Sequence, residues 1–196
     1  VGKFGMPVQT VLKKASALDI RIICPLHGPV LKENLGYYLE KYQLWSSYQP
    51  ETEGVFIAYA SLHGNTAAAA RKLGDILKEK GCPDVEILDL ARDDMAQALE
   101  NAFQYGKMVL AASSYNGGVM PFMEDFLHHL KGKNYQKRTV ALIENGSWAP
   151  SAKKAMGDIL SQMNTVTVLE PSVTIRGAMK EEDIAALSAL AEELMH

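Results

Sequence analysis

The strongest constraint on the fold is an alternation of short apolar runs and longer amphipathic runs that begins at Gly54. Such alternation is typical of strands joined by crossover helices in a parallel sheet. The predicted strands are GVFIAYA (54–60), DVEILDL (84–90), KMVLAAS (107–113), RTVALIE (138–144) and TVTVLEPSVTI (165–175). Three of them, those that begin at 54, 107 and 138, are apolar on both faces, as expected when helices cover both sides of a sheet. The sequence therefore predicts a doubly wound α/β domain with five parallel strands.

Helices are predicted between and after these strands, and their ends carry recognisable signals. They cover residues 65–80, 93–103, 121–131, 150–162 and 181–195. In the first of them Leu73, Ile76 and Leu77 recur at helical spacing, which predicts a buried stripe. Gly81 follows as a left-handed stop, because glycine tolerates the positive φ that ends many helices.

The first fifty residues do not follow this alternation. They predict a short helix at 8–18, a strand in DIRIICP (19–25), a loop at LHGPVL (26–31), an aromatic helix in 33–48 and a polar linker in YQPETEG (48–54). The aromatic helix carries Tyr38, Leu39, Tyr42 and Trp45 on one side. One strand and two helices cannot bury a core by themselves. We therefore expect residues 1–50 to be an N-terminal extension packed on an α/β domain at 54–196, or the last piece of a larger domain.

Composition excludes several classes of function. The chain has 196 residues, a 47% apolar fraction and a net charge of -3, so it has no clustered basic footprint for nucleic acid. No apolar run of about 18 residues is long enough for a bilayer, and the N-terminus lacks the apolar core of a signal peptide. We expect a cytoplasmic protein with no nucleic-acid or membrane partner. Cys24 and Cys82 lie in no metal or redox motif and are interpreted as reduced thiols.

Ligands of open α/β sheets bind outside the carboxyl ends of the strands, so the segments after residues 60, 113 and 144 are the candidates. The first, SLHGNT, places Ser61, Asn65, Thr66 and backbone N–H groups at a helix start, where an anion is favoured. A triphosphate site would add a lysine, which is absent, so the segment suits a single terminal phosphate. The alternative is a helix capped by Ser61 or Asn65 with nothing bound, and this segment alone favours neither interpretation.

The other two segments add aromatic side chains to the same edge. SSYNGGVMP (113–121) places Tyr115 before two glycines, which leave room for a flat ligand near the backbone. ENGSWAP (144–150) places Trp148 between Gly146 and Pro150, where a tryptophan is either a wall of a site or a cap over the core. Together the three segments predict a site for a planar heteroaromatic ring that carries a phosphate.

The run YASLHGNTAAAARKL (59–73) resembles the flavodoxin phosphate-loop signature, with Ala58 where a larger apolar residue is usual. The resemblance covers residues 54–196 and implies a flavodoxin-like sheet that binds FMN. It places the phosphate at Ser61, His63, Gly64, Asn65 and Thr66, and the isoalloxazine ring between Tyr115 and Trp148. The implied cofactor-binding residues form a first loop (Ser61, Leu62, His63, Gly64, Asn65, Thr66), a second loop (Ser114, Tyr115, Asn116, Gly117, Gly118) and a third loop (Asn145, Gly146, Ser147, Trp148, Ala149).

Glu144 precedes the third loop and has two interpretations. A carboxylate close to the ring would make reduction of a flavin harder, since reduction adds negative charge to the ring. The alternative is a solvated carboxylate at the end of a strand.

ICPLHGPVL (23–31), followed by an aromatic helix and a flavodoxin-like unit, resembles the end of the metallo-β-lactamase-like domain of flavodiiron proteins. The resemblance implies that His27 is the last ligand of a di-iron centre. The remaining ligands of the family, which include a His-x-Glu-x-Asp-His cluster, do not occur in this sequence, and one imidazole cannot hold a catalytic metal. Without the resemblance, His27 would be an ordinary loop histidine. We expect the chain to bind FMN, to lack the di-iron site, and to be the C-terminal piece of a longer enzyme.

The resemblance implies an electron-transfer domain of a flavodiiron oxygen or nitric oxide reductase, with no catalytic residue in this chain. Electrons would come from a rubredoxin-like or NAD(P)H-linked donor, and the full-length protein would be a homodimer. Three alternatives stay open: an NAD(P)H-dependent FMN or quinone reductase, a stand-alone flavodoxin-like carrier, and a scaffold domain with an empty pocket. The first needs space for a nicotinamide over the ring, which Trp148 would obstruct.

Overall fold

A computed structural model describes residues 1–196. Its helices, after a single 3₁₀ turn at Gly2–Phe4, are α1 (Gly5–Ala15), α2 (Leu35–Ser46), α3 (Asn65–Glu79), α4 (Met95–Gln104), α5 (Pro121–Gly132), α6 (Ala152–Leu160) and α7 (Glu181–Met195). Its strands are β1 (Thr52–Ala60), β2 (Val85–Asp89), β3 (Tyr105–Tyr115), β4 (Gly118–Val119), β5 (Arg138–Asn145), β6 (Val166–Val168) and β7 (Val173–Ile175). None of the helices is long and apolar enough to cross a membrane.

The sheet confirms the predicted doubly wound arrangement. Its order is β2-β1-β3-β5, and β6 and β7 both pair with the outer side of β5. Every pairing is parallel except that of β4, which forms a short hairpin with β3. Because successive residues of a strand point to opposite faces, β1 supplies Phe56 and Ala58 to one core and Val55 and Ile57 to the other.

Helices cover both faces of this sheet, which explains the strands that are apolar on both sides. The first core packs α4, α5 and α6 on one face, and the second packs α3 and α7 on the other. In α3 the predicted stripe of Leu73, Ile76 and Leu77 is buried, and Gly81 at φ +84° ends the helix as predicted. A Cβ on Gly74 would lie 2.5 Å from Ile87 Cδ1, so α3 packs closely on β2.

The predicted strand at 165–175 is wrong as a single element. It is two strands, β6 and β7, separated by residues 169–172. Both lie beside β5, where Arg138 pairs with Val166 and Asn145 pairs with Ile175. Pro171 lies in the interruption, and proline has no N–H to donate to a sheet.

The N-terminal segment contains two helices but not the predicted strand. Residues 19–25 form only an isolated bridge between Ile23 and Leu31, because no other strand lies beside them. The first helix lies at Gly5–Ala15 rather than 8–18, and β1 begins at Thr52, inside the predicted linker. Within residues 1–50 only Gly5, Ser46 and Tyr48 are buried.

Tyr48 attaches this segment to the rest of the chain. Its hydroxyl donates to Gly2 O at 2.8 Å and accepts from Asn134 Nδ2 at 3.1 Å. Its carbonyl accepts from Arg138 Nη1 at 2.6 Å. Tyr48 holds φ at +58°, a region that non-glycine residues seldom adopt. The segment is therefore anchored mainly by hydrogen bonds at one corner of the sheet.

Candidate functional site

The three predicted loops lie at the carboxyl ends of β1, β3 and β5, which are neighbours in the sheet. Ser114 and Tyr115 belong to β3, and Asn145 is the last residue of β5. Since these strands are parallel, their carboxyl ends lie at one edge, and the three loops meet there. The chain crosses to β2 on one side of β1 and to β3 on the other, so this edge is also where the strand order reverses. Ligands of open α/β sheets bind at such a position.

The first loop turns into α3 through a left-handed glycine rather than a polar cap. Gly64 is the N-cap residue at φ +89°, and no side chain caps the helix. The alternative of a helix capped by the side chain of Ser61 or Asn65 is therefore wrong. Ser61 Oγ instead accepts the N–H of Gly64 at 3.1 Å, which closes the turn ahead of the helix.

This loop leaves several backbone donors free. The N–H groups of His63, Asn65, Thr66 and Ala67 donate to no group of the chain. Nothing lies within 4 Å of a Cβ built on Gly64, so there is open space beside them. Unpaired donors at a helix N-terminus favour an anion. No lysine or arginine side chain hydrogen-bonds to the loop, and its donor set therefore fits a terminal phosphate held by neutral groups.

Ser113 is a member of this site that the sequence interpretation included in the second segment but did not name as a cofactor-binding residue. Its Oγ lies 2.8 Å from Thr66 Oγ1, which is buried, and 3.5 Å from the N–H of Leu62. The hydroxyls of β3 and α3 thus connect the first and second loops. The available signal was a polar residue that ends an otherwise apolar predicted strand.

The second loop contains a two-residue hairpin turn. Tyr115 pairs with Gly118 across it, and the two central residues, Asn116 and Gly117, have φ of +47° and +74°. Two positive φ values with an Asn-Gly pair are typical of a type I′ turn. Gly117 is therefore explained by the turn. Tyr115 is 41% exposed at the edge of the site.

The third loop presents Trp148 to solvent. This side chain is 89% exposed, so the interpretation as a core cap is wrong. Gly146 lies against the protein, since a Cβ there would come within 2.9 Å of both Ser114 Oγ and Pro150 Cα. Ser114 Oγ itself accepts the N–H groups of Ser151 and Ala152 and is thereby committed to the start of α6.

The predicted cofactor-binding residues differ in their exposure to solvent. Leu62, His63, Gly64, Asn65, Tyr115, Asn116, Gly117, Ser147, Trp148 and Ala149 are exposed, Ser114, Gly118 and Gly146 are half-buried, and Ser61, Thr66 and Asn145 are buried. The exposed set forms the surface of the three loops, and the buried set holds them in place.

Glu144 has a structural role that neither interpretation described. It is only 7% exposed, so it is not a solvated carboxylate. One oxygen accepts the N–H of Lys153 at 2.9 Å, and the other accepts the hydroxyl of Thr174 at 2.9 Å. The carboxylate thus binds the N-terminus of α6, a favourable place for negative charge, and joins it to β7.

The end of β7 is fastened to the third loop, a connection that the sequence interpretation missed. Asn145 Nδ2 donates to Gly177 O at 2.9 Å, and Gly177 N–H donates to Asn145 Oδ1 at 3.1 Å. Gly146 N–H donates to Ile175 O at 3.0 Å. The signal was a fourth strand end, at residue 175, on the same edge of the sheet.

His27 belongs to the N-terminal segment and to none of the three loops. It is exposed in the segment between Ile23 and Leu31. The structure contains no group of three or more histidine, cysteine, aspartate or glutamate side chains placed to hold a metal ion. Both cysteines are free, with Cys24 exposed.

The fold is that of a flavodoxin-like α/β protein, and comparison with known proteins agrees. The chain belongs to the flavodoxin domain family, whose model matches residues 56–177. Family membership implies FMN binding. A flavodoxin from Streptococcus pneumoniae superposes with a TM-score of 0.60 at 23% identity, and it aligns with 72% of this chain and with 97% of its own.

The longer matches include oxidoreductases and flavodiiron proteins. A nitric oxide reductase from Moorella thermoacetica is 23% identical over 85% of this chain and 41% of its own length. A rubredoxin-oxygen oxidoreductase from Megalodesulfovibrio gigas is 22% identical over 88% of this chain and 42% of its own length. A mutant flavo di-iron protein from Thermotoga maritima is 27% identical and superposes with a TM-score of 0.83. The superposition covers 99% of this chain and 49% of the Thermotoga chain. This chain thus spans less than half the length of these proteins, and it is a flavodoxin-like domain related to them.

Proposed function

We propose that residues 54–196 bind FMN through the first, second and third loops and transfer electrons within a flavodiiron-type oxidoreductase. The observation that carries the proposal is the group of unpaired N–H donors at His63, Asn65, Thr66 and Ala67, beside two loops that expose aromatic rings. When bound, FMN supplies one- and two-electron redox chemistry.

In this proposal each loop has a distinct task. The free N–H groups of the first loop and the hydroxyls of Ser61 and Thr66 hold the phosphate. Tyr115 and Trp148 supply flat surfaces for the ring, since aromatic pairs stack with centroids about 4.5–7 Å apart. Ser113, Ser114 and Asn145 work through hydrogen bonds that keep the loops in position.

A titration of the purified apoprotein with FMN tests this assignment. We expect the double variant S61A/T66A to weaken binding by about 1–3 kcal/mol for each charge-assisted hydrogen bond that is lost, which is about fivefold to 150-fold per bond. The matched control is T10A/S16A, which removes the same two hydroxyl types from exposed positions in the N-terminal segment. Equal affinities for the wild type, the double variant and the control would place the phosphate elsewhere.

We further propose that residues 1–50 are the end of a metallo-β-lactamase-like domain and that His27 is an iron ligand in a longer protein. Support comes from the flavodiiron relatives and from the exposed apolar side chains of this segment, which include Met6, Leu18, Leu26 and Trp45. Iron analysis of the longer protein tests the proposal. H27A should lower the iron content, whereas H128A, an exposed histidine on α5, should leave it unchanged.

The redox partner in this proposal is a rubredoxin-type donor, and the acceptor is dioxygen or nitric oxide at a di-iron centre of a homodimer. The names of the relatives support both substrates. Stopped-flow mixing of the FMN-loaded chain with reduced rubredoxin should reduce the flavin. Rapid reduction by NADH alone, without a partner protein, would instead favour an NAD(P)H-dependent flavin reductase.

A further inference from the structure

Arg176 is placed beside the third loop by the end of β7. The flanking residues are fixed by the hydrogen bonds of Ile175 and Gly177 to Gly146 and Asn145. Between them, Arg176 Nη1 donates to Ser147 O at 3.1 Å. Ser147 precedes Trp148, so the guanidinium holds the backbone next to the exposed ring.

The charge of Arg176 has no partner of opposite sign. No carboxylate lies within 4.0 Å of it, and its side chain is exposed. It is the one charged side chain that hydrogen-bonds to any of the three loops. The first loop has no lysine or arginine, and Glu144, which precedes the third loop, carries a buried negative charge held by two neutral donors, the N–H of Lys153 and the hydroxyl of Thr174. Arg176 therefore places a positive charge that forms no ion pair beside the third loop.

We infer that Arg176 is a positioning residue that orders the third loop and favours the reduced form of the flavin by its charge. The inference rests on the proposed function. Reduction adds negative charge to a flavin ring, and a cation near the ring stabilises that charge. Arg176 therefore has two separable effects, one on loop order and one on the ratio of the affinities for reduced and oxidised FMN.

The first experiment measures the dissociation constants of oxidised and reduced FMN for the wild type, R176K, R176Q and R176E. An exposed ionic interaction is weak, so R176Q should weaken the binding of reduced FMN only about two- to fivefold more than the binding of oxidised FMN. For a two-electron couple this lowers the midpoint potential by about 10–20 mV. R176E should raise the ratio of the dissociation constants of reduced and oxidised FMN more than R176Q does, and R176K should leave that ratio near the wild-type value. Added salt should reduce each of these changes.

The matched control is R21Q, which removes an exposed arginine from the N-terminal segment. It should leave both dissociation constants and the midpoint potential unchanged. If Arg176 only held Ser147 O, all its variants would weaken both flavin forms by the same factor, and the charge order would be absent. That result would overturn the inference while leaving FMN binding intact. A wild-type chain that binds no FMN would overturn the proposed function as well.

The second experiment follows Trp148 in the apoprotein and needs no flavin. In a W45F background Trp148 is the only tryptophan, so its fluorescence anisotropy reports the mobility of the third loop. R176Q should lower the anisotropy, and R21Q should not. Unchanged anisotropy in R176Q would show that Arg176 does not order the loop.

Discussion

Residues 54–196 and residues 1–50 differ in how much of their apolar surface they bury. The α/β part buries two cores, one on each face of its sheet. The N-terminal segment buries only three residues. Most of the exposed large apolar side chains of the molecule lie in this segment. Contiguous exposed apolar patches are common at protein interaction sites. The difference teaches that a complete fold and an attached piece can share one chain, joined by a few polar contacts.

The joint between the two parts depends on Arg138. It is 3% exposed, and its guanidinium donates to Tyr48 O at 2.6 Å, Tyr105 O at 2.8 Å and Phe103 O at 2.5 Å. Burial lowers the pKa of Arg138, because the charged form is desolvated. Backbone carbonyls rather than carboxylates satisfy the side chain, so the same group joins the N-terminal segment, α4 and the sheet.

Separation of the two parts should give the largest effect. We expect residues 51–196 to unfold cooperatively and to retain FMN affinity, because both cores stay whole. A peptide of residues 1–50 should show little helix, since two short helices without a core are marginal in water. Circular dichroism and urea denaturation check both expectations. A helical peptide, or an α/β fragment without a cooperative unfolding transition, would contradict the claim that only residues 51–196 fold independently.

The variant R138M should destabilise the intact chain by about 3 kcal/mol, because carbonyls that lose a donor inside a protein cost about 1–3 kcal/mol each. Urea denaturation measures this loss. The variant R21M, at an exposed arginine, should change stability by less than about 0.5 kcal/mol. A loss for R138M no larger than that for R21M would show that the joint carries little energy.

The variant Y48F should loosen the N-terminal segment alone. It removes the hydrogen bonds of the hydroxyl to Gly2 O and Asn134 Nδ2, at an expected cost of about 1–2 kcal/mol. Limited proteolysis should therefore cut within residues 1–47 faster, while the unfolding of the α/β part is unchanged. Y38F, at an exposed tyrosine of α2, is the control. Equal cleavage rates for both variants would show that the Tyr48 hydroxyl does not hold the N-terminal segment on the α/β part.

A smaller, pH-dependent effect belongs to Glu51. Burial opposes its ionisation, but hydrogen bonds from Lys41 and Trp45 outweigh burial and hold the pKa of Glu51 below its ordinary value. A depressed pKa stabilises the fold above the unfolded value and loses that contribution as the pH falls through the folded value. E51Q should therefore lose stability near pH 7, and this loss should shrink as the pH is lowered towards 3. An equal loss at both pH values would contradict the assignment.

The sequence predicted the α/β part well because its strands and helices carry their own patterns. The apolar runs of β1, β3 and β5, the α3 stripe and the Gly81 stop are all local signals, and they all hold. The interruption of the strand at 165–175 was missed although Pro171, a local signal, lies in it. The pairing of both halves with β5 is a tertiary feature. The N-terminal strand failed because DIRIICP has a strand-like composition but no strand beside it.

Within the candidate site, loop positions were predictable and side-chain roles were not. The three strand ends identified the edge, but the tasks of Ser113, Glu144 and Arg176 depend on partners distant in sequence. The exposure of Trp148 likewise depends on how the third loop folds over Ser114. Hydrogen bonds between loops are therefore what the structure adds to the sequence.

The most direct test of the central claim compares FMN with riboflavin, which has the same ring but no phosphate. The first loop holds the phosphate in this account, so the wild-type chain should bind FMN far more tightly than riboflavin. S61A/T66A should lose much of that preference while its riboflavin affinity changes little. Equal binding of FMN and riboflavin by the wild type, or a preference that S61A/T66A leaves intact, would contradict the assignment of the first loop as the phosphate site.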